Sequence, residues 1–256
     1  MVIQTKKTIH AFTIAELAIV TSIIALVIGL LSGGKMLVKN GTIRAVISES
    51  QHYTNAINNF ITTYGYYPGD FPYAYNSTTA SSIWGTVTGC TSSACNGNGD
   101  GTTSWSAESF LLWLHLRLAG MISGNYTGLG AGAGNIWAVI GTNVPGSKYS
   151  SAGYIVEYCG IASSFCSYIP KQMLTLGGQT TAAVANNCAT GIISKFDAYN
   201  IDNKIDDGMP ITGNVRVRAE TWSSPATNQC ATGTAATSTY NFSVTPRYGC
   251  ALVFKI

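Results

Sequence analysis

Between residues 12 and 34 the chain reads FTIAELAIVTSIIALVIGLLSGG, 23 residues that carry one charge, Glu16. A helix rising about 1.5 Å per residue covers a hydrocarbon layer about 30 Å thick over that length, so the segment reads as a membrane span. The stretch before it, MVIQTKKTIHA, is short and basic. Lys6 and Lys7 predict a cytoplasmic N-terminus with the remainder of the chain outside. A secretory signal has a shorter apolar core followed by a small-x-small cleavage site. Here the order is inverted, because the small residue, Ala11, precedes the apolar run. Glu16 is the unusual member, since an ionisable side chain inside a membrane span costs about 2.5–3.5 kcal/mol even on the lower scales. Lying near one end of the run, it is either an interfacial carboxylate relieved by the headgroups or a group that meets a cation from another subunit.

Helical periodicity continues beyond the span. Ile43, Val46, Ile47, Ser50, Tyr53, Ile57, Phe60, Ile61 and Tyr64 recur at three- and four-residue spacing, while Thr42, Arg44, Glu49, Gln51, Asn55, Asn58 and Asn59 fall mostly on other faces. The pattern predicts one helix over residues 13–63, about 75 Å long, ended by Gly65 and Pro68, with its second half packed on a globular domain. Gly29, Gly33, Gly34 and Gly41 each cost such a helix about 1 kcal/mol relative to Ala. They mark either places where it bends or small contacts between helices.

The segment K-K-T-I-H-A followed by F-T-I-A-E-L-A-I-V resembles the leader and N-terminal helix of type IV pilins and type II secretion pseudopilins. The resemblance implies cleavage by a prepilin peptidase between Ala11 and Phe12, methylation of the new N-terminus, and a role for Glu16, fifth in the mature chain, in meeting the N-terminal amine of a neighbouring subunit. Two opposite charges in a low dielectric attract strongly, which is consistent with that role. The family usually has Gly before the cut; Ala11 is small enough that processing is expected to be slowed or unchanged. The Tyr- and Pro-rich YGYYPGDFPYA of residues 64–74 is also similar to the turn that follows the pseudopilin helix. The implied fold is α+β and type IV pilin-like: a long transmembrane and amphipathic helix packed on an antiparallel sheet with loop insertions. The implied organisation is a leader at 1–11, a transmembrane half-helix at 12–34, an amphipathic half at 35–64 and a periplasmic, disulfide-containing head at 65–256. Implied partners are other pilin-like subunits, the prepilin peptidase, an inner-membrane assembly platform and membrane lipid, in a bacterial inner membrane and then in a fibre.

Seven cysteines, Cys90, Cys95, Cys159, Cys166, Cys188, Cys230 and Cys250, all follow the span, which suits an oxidising compartment. Pairings Cys90–Cys95, Cys159–Cys166 and Cys230–Cys250 are the short-range options and would leave Cys188 over. A zinc site competes with this reading, but no C-x-x-C occurs and His10, His52 and His115 are scattered. With charged residues at 10% and a net charge of +3, the chain has no basic stripe for nucleic acid. The head reads as a polar loop over 75–104, a buried helix capped by Ser106 and stopped by Gly120, candidate strands at 136–140, 154–158, 172–176, 215–219, 240–244 and 251–255, and a helical stretch near 190–200. His115 and Arg117 are expected at exposed or partnered positions of the buried helix.

Two clusters carry oxygen ligands suited to Ca²⁺: Asp202, Asp206 and Asp207, and the loop with Asn96, Asn98 and Asp100. The second begins with Asn and lacks the distal Glu of an EF-hand. Major pseudopilins as a family hold calcium in the head, and N-K-I-D-D-G-M-P-x-x-G is similar to a motif in some pseudopilin-like proteins; turn formation alone also accounts for Asp207-Gly208. No cofactor is otherwise required. No G-x-S-x-G, H-E-x-x-H, P-loop or dinucleotide fingerprint occurs, so a structural role is expected and not an enzymatic one. The alternatives are a true type IV pilus subunit serving adhesion, motility or DNA uptake, and a tethered adhesin using Trp84, Trp105, Trp137 or Trp222 for a ligand such as a sugar.

Overall fold

The computed structural model describes residues 13–85, 89–104, 107–131, 137–158, 172–179, 190–218, 230–233, 235–243 and 249–256, without the side chains of 31 and 32. Contacts divide the chain into two units, Met1–Thr42 and Ile43–Ile256. Helix α1 (Ile14–Tyr64) is unbroken through Gly29, Gly33, Gly34 and Gly41. A Cβ added at any of the four would meet nothing within 4 Å, so no packing among the described residues requires them to be small. In the first unit the apolar side chains are exposed, Ile14 at 89% and Leu30 at 68%, as suits a helix whose natural surroundings are apolar. Gly65, at φ +77°, ends the helix with its amide donating to the Ile61 carbonyl at 2.8 Å.

From Ile43 onward the helix buries one face. Ile43, Val46, Ile57 and Phe60 lose essentially all exposure to a core that includes Trp113 and Leu112 of α2 (Ala107–Leu118). Glu49, expected on the polar side, is instead held at this interface. Its carboxylate accepts from Ser147 Oγ at 2.6 Å, from the Lys148 amide at 3.0 Å and from Tyr154 Oη at 3.1 Å. The i, i+3/i+4 pattern locates apolar positions but is blind to a carboxylate whose donors lie about a hundred residues away.

The main sheet is antiparallel, in the order β3 (Ala152–Tyr158), β4 (Gln172–Gly178), β6 (Ala251–Lys255), β5 (Val215–Arg218). Nearly every residue of β3 and β4 is buried, so both faces are covered and the strands read as continuous apolar runs with little alternation. Among the polar residues these strands bury, Glu157 on β3 pairs at 2.7 Å with Arg218 on β5, both almost wholly buried. Two edges are closed differently. Residues 145–147 pair along the first half of β3, with the Tyr154 amide donating to the Pro145 carbonyl. On β5 the outward amides of Val215 and Val217 donate to Asp206 Oδ2 and the Pro210 carbonyl.

The strands expected at 136–140 and 240–244 do not form among their described residues: Trp137, Ile140 and Tyr240 make only isolated bridges. The polar loop at 75–104 contains a small hairpin, β1 (Tyr75–Asn76) with β2 (Ser81–Ser82). Helix α3 (Lys195–Ile205) starts later and runs further than the 190–200 stretch, because Ser194 is its N-cap, its side chain accepting from the Asp197 amide at 3.1 Å. Helix α2 ends as expected near Gly120, φ +70°, with the Met121 amide reaching back to the Leu116 carbonyl; the expected cap, Ser106, lies outside the described residues.

Candidate functional site

The start of α1 is built by its own first turn. The Thr13 amide and hydroxyl both donate to Glu16 Oε2, at 2.8 and 2.9 Å, and Thr13 Oγ1 in return accepts from the Glu16 amide at 3.2 Å. This is a reciprocal capping box, legible in the sequence as T-x-x-E at the head of an apolar run. It satisfies helix amides that would otherwise be orphaned, and it places a carboxylate at the positive end of the helix dipole. An ionised carboxylate offers about four acceptor positions, and these contacts use two of them. The arrangement therefore leaves Glu16 able to receive a further cationic donor while remaining the helix cap. Ala11 and Phe12 lie outside the described residues.

Asp202, Asp206 and Asp207 converge: one carboxylate oxygen from each lies within 4.8 Å of the others. The last turn of α3 supplies Asp202 and its C-cap is Asp206, whose amide donates to the Asp202 carbonyl. Each carboxylate also serves the loop that follows. Asp202 accepts from the Gly208 amide at 3.2 Å and from Tyr240 Oη at 2.8 Å. Asp206 Oδ2 accepts from the Asn214 and Val215 amides, and Asp207 from the Met209 amide and Thr212 Oγ1. Burial, reinforced by the neighbouring Asp207 and Asp206 charges, pushes Asp202 up to about 7 against the donors that oppose it. Three acids this close suit a divalent cation chemically, although all three already accept from backbone amides.

The Asn96, Asn98 and Asp100 loop has the opposite electrostatic sense. Its amides point inward at Asp70: those of Gly99, Asp100 and Gly101 donate to the Asp70 carboxylate at 2.6, 3.0 and 2.9 Å. A Cβ on Gly97 would overlap the Asp70 backbone, and Gly99 and Gly101 have positive φ, so the alternating glycines let the chain wrap a buried carboxylate. The polar side chains are occupied locally. Asn96 pairs with the backbone of Tyr75, Asn98 accepts from the Asp100 amide, and Asp100 accepts from Thr102, contacts that hold its carboxyl below the usual range. Sequence reading missed Asp70 because it lies 29–31 residues from its donors.

His115 is fully buried and bridges three segments. Its Nδ1 accepts from the Gly69 amide at 2.9 Å, which leaves the proton on Nε2 to donate to the Cys95 carbonyl at 2.8 Å. Phe60 stacks on it at 6.1 Å, with Trp84 at 5.5 Å. Burial lowers its pKa to about 4, so the ring is neutral and structural. Cys90–Cys95 and Cys230–Cys250 are disulfide-bonded; Cys159, Cys166 and Cys188 lie outside the described residues. Trp84 Nε1 donates to Tyr64 Oη at 3.0 Å, fastening the hairpin to the end of α1. Trp105 and Trp222 are outside the described residues, and Trp137 is half-buried.

These features define an α+β protein with disulfides and one N-terminal helix long and apolar enough to cross a membrane. No family model, curated protein or solved structure matches the chain.

Proposed function

We propose that this chain is a pilin-like structural subunit, stored in a bacterial inner membrane with its head in the periplasm, processed by a prepilin peptidase and assembled into a fibre, and that it is not an enzyme. The observation that carries the reading is the first turn of α1. An acid at the mouth of an exposed apolar helix is capped by Thr13 and keeps acceptor capacity for a neighbour's ammonium. The unbroken passage of that helix from the apolar run into the core of the head supports it, as does the small-to-aromatic junction at Ala11 and Phe12. Service in a type II secretion pseudopilus is preferred to a type IV pilus on the Tyr-Pro turn and the 202–208 motif.

Calcium, if the head holds it, belongs at Asp202, Asp206 and Asp207, where it would neutralise carboxylates now crowded together. The deciding experiment is co-expression with a prepilin peptidase and mass spectrometry of the product. A mature chain beginning at Phe12, methylated, is expected; a chain left uncut, or cut elsewhere, overturns the proposal.

A further inference from the structure

Charge along α1 is one-sided. Between Glu16 and Glu49 there is no acidic residue, and the basic ones are Lys35, Lys39 and Arg44. Lys35 is the first residue beyond the apolar run; Lys39 follows one turn later, about 40° round the helix, so the two share a face. Both are exposed, and with Leu30, Gly34 and Val38 they line one shallow groove. At Gly34 a side chain would meet nothing, so the backbone lies open between the lysines and the apolar Leu30 below.

The dimensions match a leaflet boundary. Each headgroup layer outside the hydrocarbon core is about 5–7 Å thick, and the advance from Lys35 to Lys39 is about 6 Å. With the span placed in the core, two ammonium groups stand within the layer where lipid phosphates lie, while Leu30 reaches the acyl chains. Lysine binds phosphate as a point charge, its stem lying along apolar surface. A zwitterionic headgroup cannot neutralise two ammonium groups, whereas an anionic one brings a net negative charge to them.

We propose that the groove of Leu30, Gly34, Lys35, Val38 and Lys39 binds the phosphate of an anionic phospholipid in the outward-facing leaflet. The site rests on the membrane-stored reading above. It would fix the depth of the helix and set part of the cost of withdrawing the subunit into a fibre.

The test uses the full chain in bilayers of equimolar phosphatidylcholine and phosphatidylglycerol, with retained lipids counted by native mass spectrometry and membrane insertion read separately by vesicle flotation. Retained phosphatidylglycerol is expected to exceed phosphatidylcholine by on the order of tenfold, and to fall as salt is raised. The pair Lys35→Gln and Lys39→Gln is expected to bring the two lipids to parity, and Lys35→Arg with Lys39→Arg to preserve the preference. Parity in the parent chain, or a preference that survives the double Gln change, overturns the site while flotation leaves the membrane reading standing. If the Gln pair blocks fibre formation while the parent shows no lipid preference, the lysines serve an acidic surface of a second copy and the lipid site is wrong. A chain that fails to float overturns the membrane reading itself.

Discussion

Glu16 carries two separable duties, and amide substitution separates them. Gln supports a capping box almost as well as Glu, because its side-chain oxygen can still accept from Thr13. It cannot form an ion pair. If Glu16 serves only its own helix, Glu16→Gln should assemble like the parent and only Glu16→Leu should fail; if it receives a neighbour's ammonium, both should fail while remaining inserted in the membrane. Fibre yield against membrane-fraction yield reads the difference, and the pilin-like proposal expects the second outcome. In the head, His115 and Asp202 titrate in opposite senses. The pKa of His115 is depressed to about 4 from an ordinary 6.5, so its contribution is whole above pH 6.5 and drains as pH falls, on the order of 3 kcal/mol by pH 4. That of Asp202 is raised to about 7, so its contribution is whole near pH 4 and drains as pH rises through 7. In Asp202→Asn the acid-side loss should steepen, since less then opposes His115, and without divalent cation the variant should melt above the parent at pH 8. Added Ca²⁺ should reverse that order by stabilising only the parent; calcium-independent melting of the parent would exclude a structural cation there.

At the scale of elements, what the sequence disclosed and what it hid follow the range of the interactions. The long helix was legible because Ile43, Val46, Ile57 and Phe60 repeat a local period and Gly65 stops it. The strands at β3, β4, β5 and β6 were legible within a few residues from their β-branched and aromatic runs. Residues 137–140 and 240–243 have a similar composition but pair, among the described residues, only at isolated bridges, and strand identity depends on a partner to extend. The inward amides of the Asn-Gly loop were hidden for a similar reason. Its oxygens are visible in sequence, but its amides acquire a target only when Asp70 is folded beneath them. Asp70→Ala should therefore take the side-chain acceptor from three part-buried amides and cost about 1–3 kcal/mol, read by denaturant unfolding. Gly97→Ala should be comparably damaging because its Cβ would meet the rigid backbone of Gly69 and Asp70. Asn96→Ala should cost less, losing one side-chain pairing with Tyr75.

For the whole molecule, the division at Thr42 and Ile43 has a practical outcome: a head beginning near Thr42 retains the buried face of α1, the Glu49 contacts and the entire sheet. It should fold as a soluble, disulfide-bonded monomer with a cooperative melt and no tendency to form fibres; a soluble aggregate or a non-cooperative melt would contradict that. The proposed life of the full subunit is spent crowded beside identical copies on one membrane surface, where any exposed strand edge would be a template for its neighbours. The four residues of β5 present two outward amides, and both are already held, one by the Asp206 carboxylate and one by the Pro210 carbonyl. A reservoir of heads can thus become dense without nucleating cross-β deposits. Loosening the 206–210 segment, by Asp206→Ala for instance, would threaten proteostasis in the reservoir before it altered the fibre.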